Sequence, residues 1–267
     1  MRELFDIYAQ QFSTTFASFV QYRASILIWM IWHILEPLVY LVVWTTVSRS
    51  NAGSVGGFTP GDFAAYYIAM MLVNHVTYTW VIYEYEYRIR HGSLSFALLR
   101  PLHPMHADIV ANISSKLMTM PMMIIAAAVL AFAFRPVFHF EAWQIFLFVP
   151  ALVLAFMIRF LVEWTLALVA FWTTRVSAVN QGYYIASLFL AGLMAPLALL
   201  PNSLRTAAAV LPFRWMISFP VELALGRINP PEALVGLGAQ IAWLGVSVLL
   251  MRRVWQAGVR RYSAVGA

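Results

Sequence analysis

The chain has 267 residues, of which 62% are hydrophobic and 10% are charged, against roughly 45–50% and 25% in an ordinary soluble domain. This composition excludes a simple soluble domain, and the absence of cysteine excludes disulfides, thiol catalysis and sulfur-ligated metal. The net charge of +6 comes mostly from arginines at the ends of apolar blocks, as in membrane proteins, and not from a basic stripe. We therefore expect a single all-α integral membrane domain over 1–267, with membrane lipid and not nucleic acid as a partner.

The N-terminal residues 1–22 predict an amphipathic helix. Their polar residues interrupt the apolar run that a signal peptide requires. Aromatic residues instead recur at helical spacing on one face, which is typical of a helix in the membrane surface or packed on a bundle. These aromatic residues are Phe5, Tyr8, Phe12, Phe16 and Phe19.

Six apolar stretches are long enough to cross a hydrocarbon core of roughly 30 Å. With the N-terminus in the cytoplasm, eleven basic residues lie inside and five lie outside, so the positive-inside rule places both termini in the cytoplasm. The predicted transmembrane spans are 24–47, 62–83, 117–134, 143–172, 183–200 and 233–251.

The segment 201–231 is also apolar, but we do not predict a seventh span there. A span would place Arg214 and Glu222 in lipid, which costs free energy for each charge. Prolines at Pro212 and Pro220 instead predict two short helices that enter the outer leaflet and return.

The cytoplasmic connection 88–101, RIRHGSLSFALLRP, predicts a short helix between spans two and three. Gly92 can end the preceding helix, Ser93 can cap a new one, and Pro101 stops it. Such a helix is too short to be stable alone and too apolar to lie bare in water, so it should dock into a groove of a partner protein.

The docking face of this short helix should consist of Leu94, Leu98 and Leu99. Three arginines, Arg88, Arg90 and Arg100, flank the helix. They would either contact an acidic rim of the partner's groove or anchor the loop to lipid phosphates.

The run GFTPGDFAAYYIAMML, together with IRHGSLSFALLRPL, resembles the permeases of type 2 ATP-binding-cassette (ABC) exporters, especially the branch of daunorubicin-type or uncharacterised permeases. Weaker agreement continues through LLPNSL and LPFRWMISFP. The matching residues are Tyr66, Tyr67, Ile89, Arg90, Gly92, Leu94, Leu98, Leu99, Arg100, Pro101 and Leu102.

The resemblance implies a six-span half-transporter in a bacterial cytoplasmic (inner) membrane, paired with a second copy or a sister permease. It also implies that two ABC ATPase subunits bind ATP and magnesium and contact a cytoplasmic coupling helix, and that re-entrant helices lie between spans five and six. The chain has no GxxxxGK[ST] loop, so we expect no cofactor in this chain. The expected ATPase contacts are Arg88, Arg90, Gly92, Leu94, Phe96, Leu98, Leu99, Arg100 and Pro101.

Ionisable residues within the predicted spans usually face a bundle interior or a watery cavity. Glu36, close to His33, could line a substrate route with it, or Glu36 could form a structural bridge to Arg159. Arg159 and Glu163 are one helical turn apart and could form a second pair.

The polar residues Asn74 and His75 in span two could face the substrate route or join helices. We expect export of a hydrophobic or amphipathic molecule by a subunit that is not itself an enzyme. The alternatives are a non-transport membrane subunit and a secondary transporter that uses Glu36 and Glu163 as ion carriers. The latter predicts an inverted repeat, which the sequence does not display.

Overall fold

The computed structural model describes residues 2–21, 23–139, 141–173 and 176–262. Within these ranges the regular structure is helical, apart from one isolated bridge between Val55 and Phe58. The helices are α1 Arg2–Gln21, α2 Arg23–Ser50, α3 Pro60–Thr77, α4 Val81–Arg90, α5 Leu94–Leu98, α6 Pro104–Phe134, α7 Ala142–Ala167, α8 Val176–Leu190, α9 Asn202–Val210, α10 Phe219–Ala224 and α11 Pro230–Arg261.

Four helical segments of the described chain are long and apolar enough to cross a membrane. They are Ile28–Ser50, Pro104–Phe134, Ala142–Phe171 and Pro230–Arg261, and they overlap the first, third, fourth and sixth predicted spans. A bent pair, Asn202–Val210 with Arg214–Ala224, could add a fifth crossing. The chain is therefore a multi-pass membrane protein, although two of the predicted spans are interrupted.

The second predicted span, 62–83, is not one continuous helix. Helix α3 ends at Thr77 and α4 begins at Val81, so the prediction of an unbroken helix is wrong. Backbone groups that leave a helix in an apolar environment need other partners. Here the Thr79 amide donates to Glu163 and the Tyr78 carbonyl accepts from Lys116.

The fifth predicted span, 183–200, is wrong in its second half. Helix α8 ends at Leu190, and the chain turns at Gly192, whose φ of +79° favours glycine. A Cβ on Gly192 would also lie only 2.5 Å from the Tyr66 hydroxyl oxygen. The chain leaves the helix here because glycine permits a turn that other residues would make only with strain.

Side chains from α2 and α3 hold this non-helical segment after α8. The hydroxyls of Tyr66 and Tyr67 donate to the carbonyls of Gly192 and Met194, each at 2.8 Å. The indole Nε1 of Trp44 also donates to the Met194 carbonyl, at 2.9 Å. These three donors replace hydrogen bonds that a continued helix would have made within itself.

The segment 201–231 contains the bend expected at Pro212 but not the break expected at Pro220. The pair Asn202–Val210 and Arg214–Ala224 is bent by 80°. The segment Arg214–Ser218 is π-helical and continues directly into α10, which carries Pro220 in its first turn. Pro220 has no N–H to donate, and it follows directly on the π-helical turn, where the regular α-helical hydrogen bonding is already interrupted.

The described elements meet at two ends of the helix bundle. The α5 end contains α5, the start of α6 and the last residues of α11, where the hydroxyls of Ser95 and Tyr262 are hydrogen-bonded at 2.9 Å. The opposite end contains the loops that precede α3, α9 and α11. Arg227 and Asp62 form an ion pair there at 3.0 Å.

Helix α1, described over Arg2–Gln21, packs along α6. The Tyr8 hydroxyl and His106 Nδ1 are 2.6 Å apart, and the rings of Phe12 and Phe16 stack. The predicted helix also included Met1 and Tyr22, which lie outside the described residues, as do the side chains of Phe5 and Phe19. The described part of the aromatic face therefore includes a contact with the bundle.

Candidate functional site

The short helix α5 begins after a left-handed turn at Gly92, whose φ is +70°. Glycine adopts this conformation without the penalty that a Cβ would impose. Ser93 does not cap α5 through its side chain, so that expectation is wrong. Its hydroxyl instead donates back to the Arg88 carbonyl at 3.4 Å, because Ser93 already has helical backbone angles.

The apolar residues of α5 lie on two faces. Leu94 is fully buried and belongs to a cluster with Tyr85, Trp164 and Met251, so the expectation that it forms part of a docking face is wrong. Phe96 is 72% exposed and Leu99 is 83% exposed. We call these two residues the α5 apolar surface. Leu98, also expected to dock, is only partly exposed.

Arg88 ties α4 to α6. Its guanidinium contacts Asp108 at 2.7 Å and Glu84 at 2.6 Å, and Asp108 also accepts from the indole of Trp164 at 3.0 Å. Burial disfavours the charged form of Arg88, but the Asp108 and Glu84 carboxylates outweigh it and raise the Arg88 pKa. Arg88 is partly exposed and makes ion pairs within the subunit, and its expected contact with a partner or with lipid stays a prediction.

The other two arginines beside α5 are exposed. Arg90 contacts Glu86 on its own helix at 3.3 Å, and its side chain is 57% exposed. Arg100 and Pro101 are exposed directly after α5. The α5 apolar surface is therefore bordered by accessible cationic side chains, an arrangement suited to a groove with an acidic rim.

A buried ionic network surrounds the break between α3 and α4. The predicted pair is present, because Arg159 Nε and Glu163 Oε1 are 2.7 Å apart and both residues are buried. Arg159 also donates from one terminal nitrogen to Asn74 Oδ1 at 2.7 Å and to Thr77 Oγ1 at 2.9 Å. Asn74 thus anchors the end of α3 to α7.

Both carboxylate oxygens of Glu163 accept hydrogen bonds in this network. Its Oε2 accepts from the Thr79 amide at 3.1 Å and from the Thr79 hydroxyl. Its Oε1 accepts from Arg159 and, at 3.1 Å, from the Tyr183 hydroxyl of α8. This carboxylate therefore joins α7 to α8 and to the broken second span.

The alternative that Glu36 bridges to Arg159 is wrong. Arg159 is held by partners on α3 and α7, whereas Glu36 accepts from the Tyr184 hydroxyl of α8 at 2.7 Å. Glu36 is only partly buried and Tyr184 is 43% exposed. Glu36 therefore lies at the outer surface of the single subunit, between α2 and α8.

A cavity of about 360 Å³ lies beside the broken span, between α2, α4 and α6. His33 and His75 both line it, with ring centroids 6.0 Å apart, and His75 is hydrogen-bonded to Thr119 at 2.9 Å. Trp29 and Trp80 contribute aromatic walls in an edge-to-face pair. Apolar surface predominates in the lining, which also includes the charged residues Glu84, Asp108 and Lys116.

The sequence reasoning missed Lys116 as a residue of this cavity. It placed Lys116 before the third span, but α6 begins at Pro104, so Lys116 lies within the helix and donates to the Tyr78 carbonyl. Its position gave a signal, since it is the only lysine in the chain and lies beside a long apolar run.

An all-helical bundle with several apolar spans and a buried ionic network defines a polytopic membrane protein. The chain belongs to the ABC-2 family, because the family model described as ABC-2 family transporter protein matches residues 34–266. This match confirms the resemblance to type 2 permeases and makes the chain a membrane transport subunit whose family implies a separate ABC ATPase. No curated protein matches the sequence directly.

Proposed function

We propose that this chain is the permease subunit of an ATP-driven exporter that moves a hydrophobic or amphipathic molecule out of the cytoplasm or the inner leaflet. Its membership of the ABC-2 family over residues 34–266 carries this proposal. ATP and magnesium bind to the partner ATPase. The daunorubicin-type branch and a bacterial inner-membrane location belong to the same proposal, and they depend on the sequence resemblance.

The proposed topology has six crossings, with the α5 end and both termini in the cytoplasm. The four long apolar helices support four of these crossings. The other two would be formed by α3 together with α4 and by α8, which run between the two ends of the bundle. Exposed basic residues at the α5 end agree with the positive-inside rule. These residues include Arg90, Arg100, Arg252, Arg253 and Arg260. The bent α9–α10 segment is then a re-entrant element on the outer side.

In this proposal α5 is the coupling helix. The high exposure of Phe96 and Leu99 supports docking, because large apolar side chains exposed outside the membrane are stabilised by a partner that covers them. Arg90 and Arg100 would meet acidic residues on the rim of the ATPase groove. Leu94, buried in the subunit, would carry movement of α5 into the bundle.

The transporter would contain two ATPase subunits and a second permease, either an identical chain or a sister chain. The substrate would pass between the two permeases, and ATP-driven closure of the ATPases would alter access by rotating one permease against the other. Within each subunit, the cavity beside His33 and His75 supports an amphipathic substrate.

Co-purification with the ATPase tests the α5 contact. In Phe96→Asp combined with Leu99→Asp, two carboxylates would enter an apolar groove, so recovery of the ATPase should fall at least about tenfold. Gln256→Asp is the matched control, because Gln256 is exposed at the same end of the bundle and lies outside α5. It should leave recovery unchanged.

Size-exclusion chromatography of both variants should show intact, monodisperse permease. Recovery of the ATPase at the wild-type level with folded Phe96→Asp/Leu99→Asp protein would contradict the assignment of α5 as the coupling helix.

A further inference from the structure

A pocket of about 230 Å³ lies beside the bend between α9 and α10, at the end of the bundle opposite α5. Phe58, Tyr66 and Leu197, all of them buried, form part of its wall. Its charged lining consists of three arginines and one carboxylate, namely Arg205, Arg214, Arg227 and Glu222. Nothing in the proposed coupling to an ATPase uses this pocket.

The arginine of this pocket with the clearest unused donor is Arg214. One of its terminal nitrogens contacts Glu222 at 3.0 Å, and Glu222 also accepts from the Ser218 hydroxyl at 2.9 Å. The Nε of Arg214 is buried and has no hydrogen-bond partner among the described residues. A buried donor of this kind costs free energy unless something accepts from it.

The other two arginines differ in how firmly they are held. Arg227 contacts Asp62 at 3.0 Å and lies 3.7 Å from the centroid of the Phe58 ring, so its position is fixed. Arg205 is exposed, and its guanidinium has a contact of 3.4 Å with Asn202 on its own helix. Arg205 is therefore able to turn toward a ligand at the pocket mouth.

The lining of the pocket has more donors than acceptors. Each guanidinium carries five N–H donors in a planar fork, while Glu222 supplies the only carboxylate among the described lining residues. Guanidinium forks match the paired oxygens of phosphate and bind them more strongly than neutral donors do. The geometry and the charge favour an oxyanion over a neutral or cationic ligand.

We propose that this pocket binds a phosphate-type oxyanion, held by Arg205 and Arg214 and oriented by the fixed Arg227. The oxyanion is either the headgroup of an anionic phospholipid or free phosphate, which share the same recognition chemistry. Ala198, which is exposed beside the charged lining, offers an apolar surface that an acyl chain can contact. The site would then hold a lipid headgroup or a phosphate at the face of the bundle opposite the ATPase.

The test uses the full-length chain in lipid nanodiscs with two probes. In the first arm, nanodiscs with equal amounts of phosphatidylglycerol and phosphatidylcholine are analysed by native mass spectrometry for retained lipid. In the second arm, inorganic phosphate is titrated against protein in phosphatidylcholine nanodiscs, and the thermal unfolding midpoint is followed. The variants are Arg205→Gln and Arg214→Lys, and Arg49→Gln, an exposed arginine outside the pocket, is the control.

The wild type and Arg49→Gln should prefer phosphatidylglycerol or be stabilised by phosphate. Each pocket variant should weaken that response about tenfold, which corresponds to about 1.4 kcal/mol. A response in the lipid arm alone identifies a headgroup site, and a response in the phosphate arm alone identifies a free-anion site.

No response of the wild type in either arm would overturn the proposal, as would wild-type responses in both pocket variants. Should Arg214→Lys fail to fold, Arg205→Gln decides, since its exposed side chain has little structural role. The lipid and phosphate measurements do not depend on ATPase co-purification, so a failure of this proposal can be told apart from a failure of the proposed function.

Discussion

Two helices of the bundle are interrupted, and the chain compensates for the two interruptions in different ways. The break after α3, at 78–80, is held by the charged side chains Arg159, Glu163 and Lys116. The break after α8 is held by neutral donors, the hydroxyls of Tyr66 and Tyr67 and the indole of Trp44. Both arrangements provide hydrogen-bond partners, away from water, for backbone groups that no longer bond within a helix.

The two breaks should differ in how much stability a single substitution removes. Removing one partner of a buried ion pair leaves an uncompensated charge, whereas removing a neutral hydroxyl leaves one unsatisfied acceptor. The stability of the break at 78–80, which charged side chains hold, should therefore depend on every member of its network. The neutral break should tolerate the loss of a single donor.

The largest effect is expected for Arg159→Met. It leaves Glu163 charged and buried without its cation and should lower the free energy of unfolding by about 3–5 kcal/mol. The measurement is chemical or thermal unfolding of the purified permease in detergent. Arg159→Met combined with Glu163→Gln is the control, because no unpaired charge remains, and it should recover much of the loss.

Equal destabilisation of the single and double variants would show that the charge of Glu163 is not the cause, which would remove the distinction between the two breaks.

A smaller effect is expected for Tyr66→Phe at the neutral break. The Gly192 carbonyl loses its donor, which should cost about 0.6–1.7 kcal/mol, between the average and the maximum found for hydrogen bonds between helices of a membrane protein. The same unfolding measurement applies. Tyr87→Phe, at a tyrosine that is 61% exposed, is the control and should unfold like the wild type. A loss as large as that of Arg159→Met would contradict the ranking of the two breaks.

The smallest effect is expected for Glu36→Gln, which alters a carboxylate outside both networks. The amide oxygen can still accept from the Tyr184 hydroxyl, so the free energy of unfolding should change by about 0.5 kcal/mol or less. Transport measured on the same preparation then reports separately on a role in the substrate route. A marked loss of stability would show that Glu36 belongs to a structural network after all.

The sequence predicts the presence of the long apolar helices α2, α6, α7 and α11, because high hydropathy alone indicates them, but it does not predict that α6 begins as early as Pro104. It also predicts the turn at Gly92 and the bend at Pro212, since local backbone chemistry determines both. The break at 78–80 has no glycine or proline to signal it. Its partners come from α6 and α7, far away in sequence, so no local pattern could have indicated it.

The same limitation explains the errors at the candidate site. A short apolar helix can be recognised from its residues, but which of its leucines is covered depends on the neighbouring helices. Leu94 is buried against residues of α4, α7 and α11. The Arg159–Glu163 pair, by contrast, follows from its one-turn spacing, whereas the contact of Glu36 with Tyr184 depends on packing that no local spacing indicates.

The burial of Leu94 has a mechanical consequence. Close-packed interiors resist compression and transmit displacement, and Leu94 is packed in a cluster with residues of α4, α7 and α11. A pull or push on α5 therefore cannot be absorbed by the loop alone. In the proposed coupling, a displacement of α5 would pass through this cluster to α4, α7 and α11.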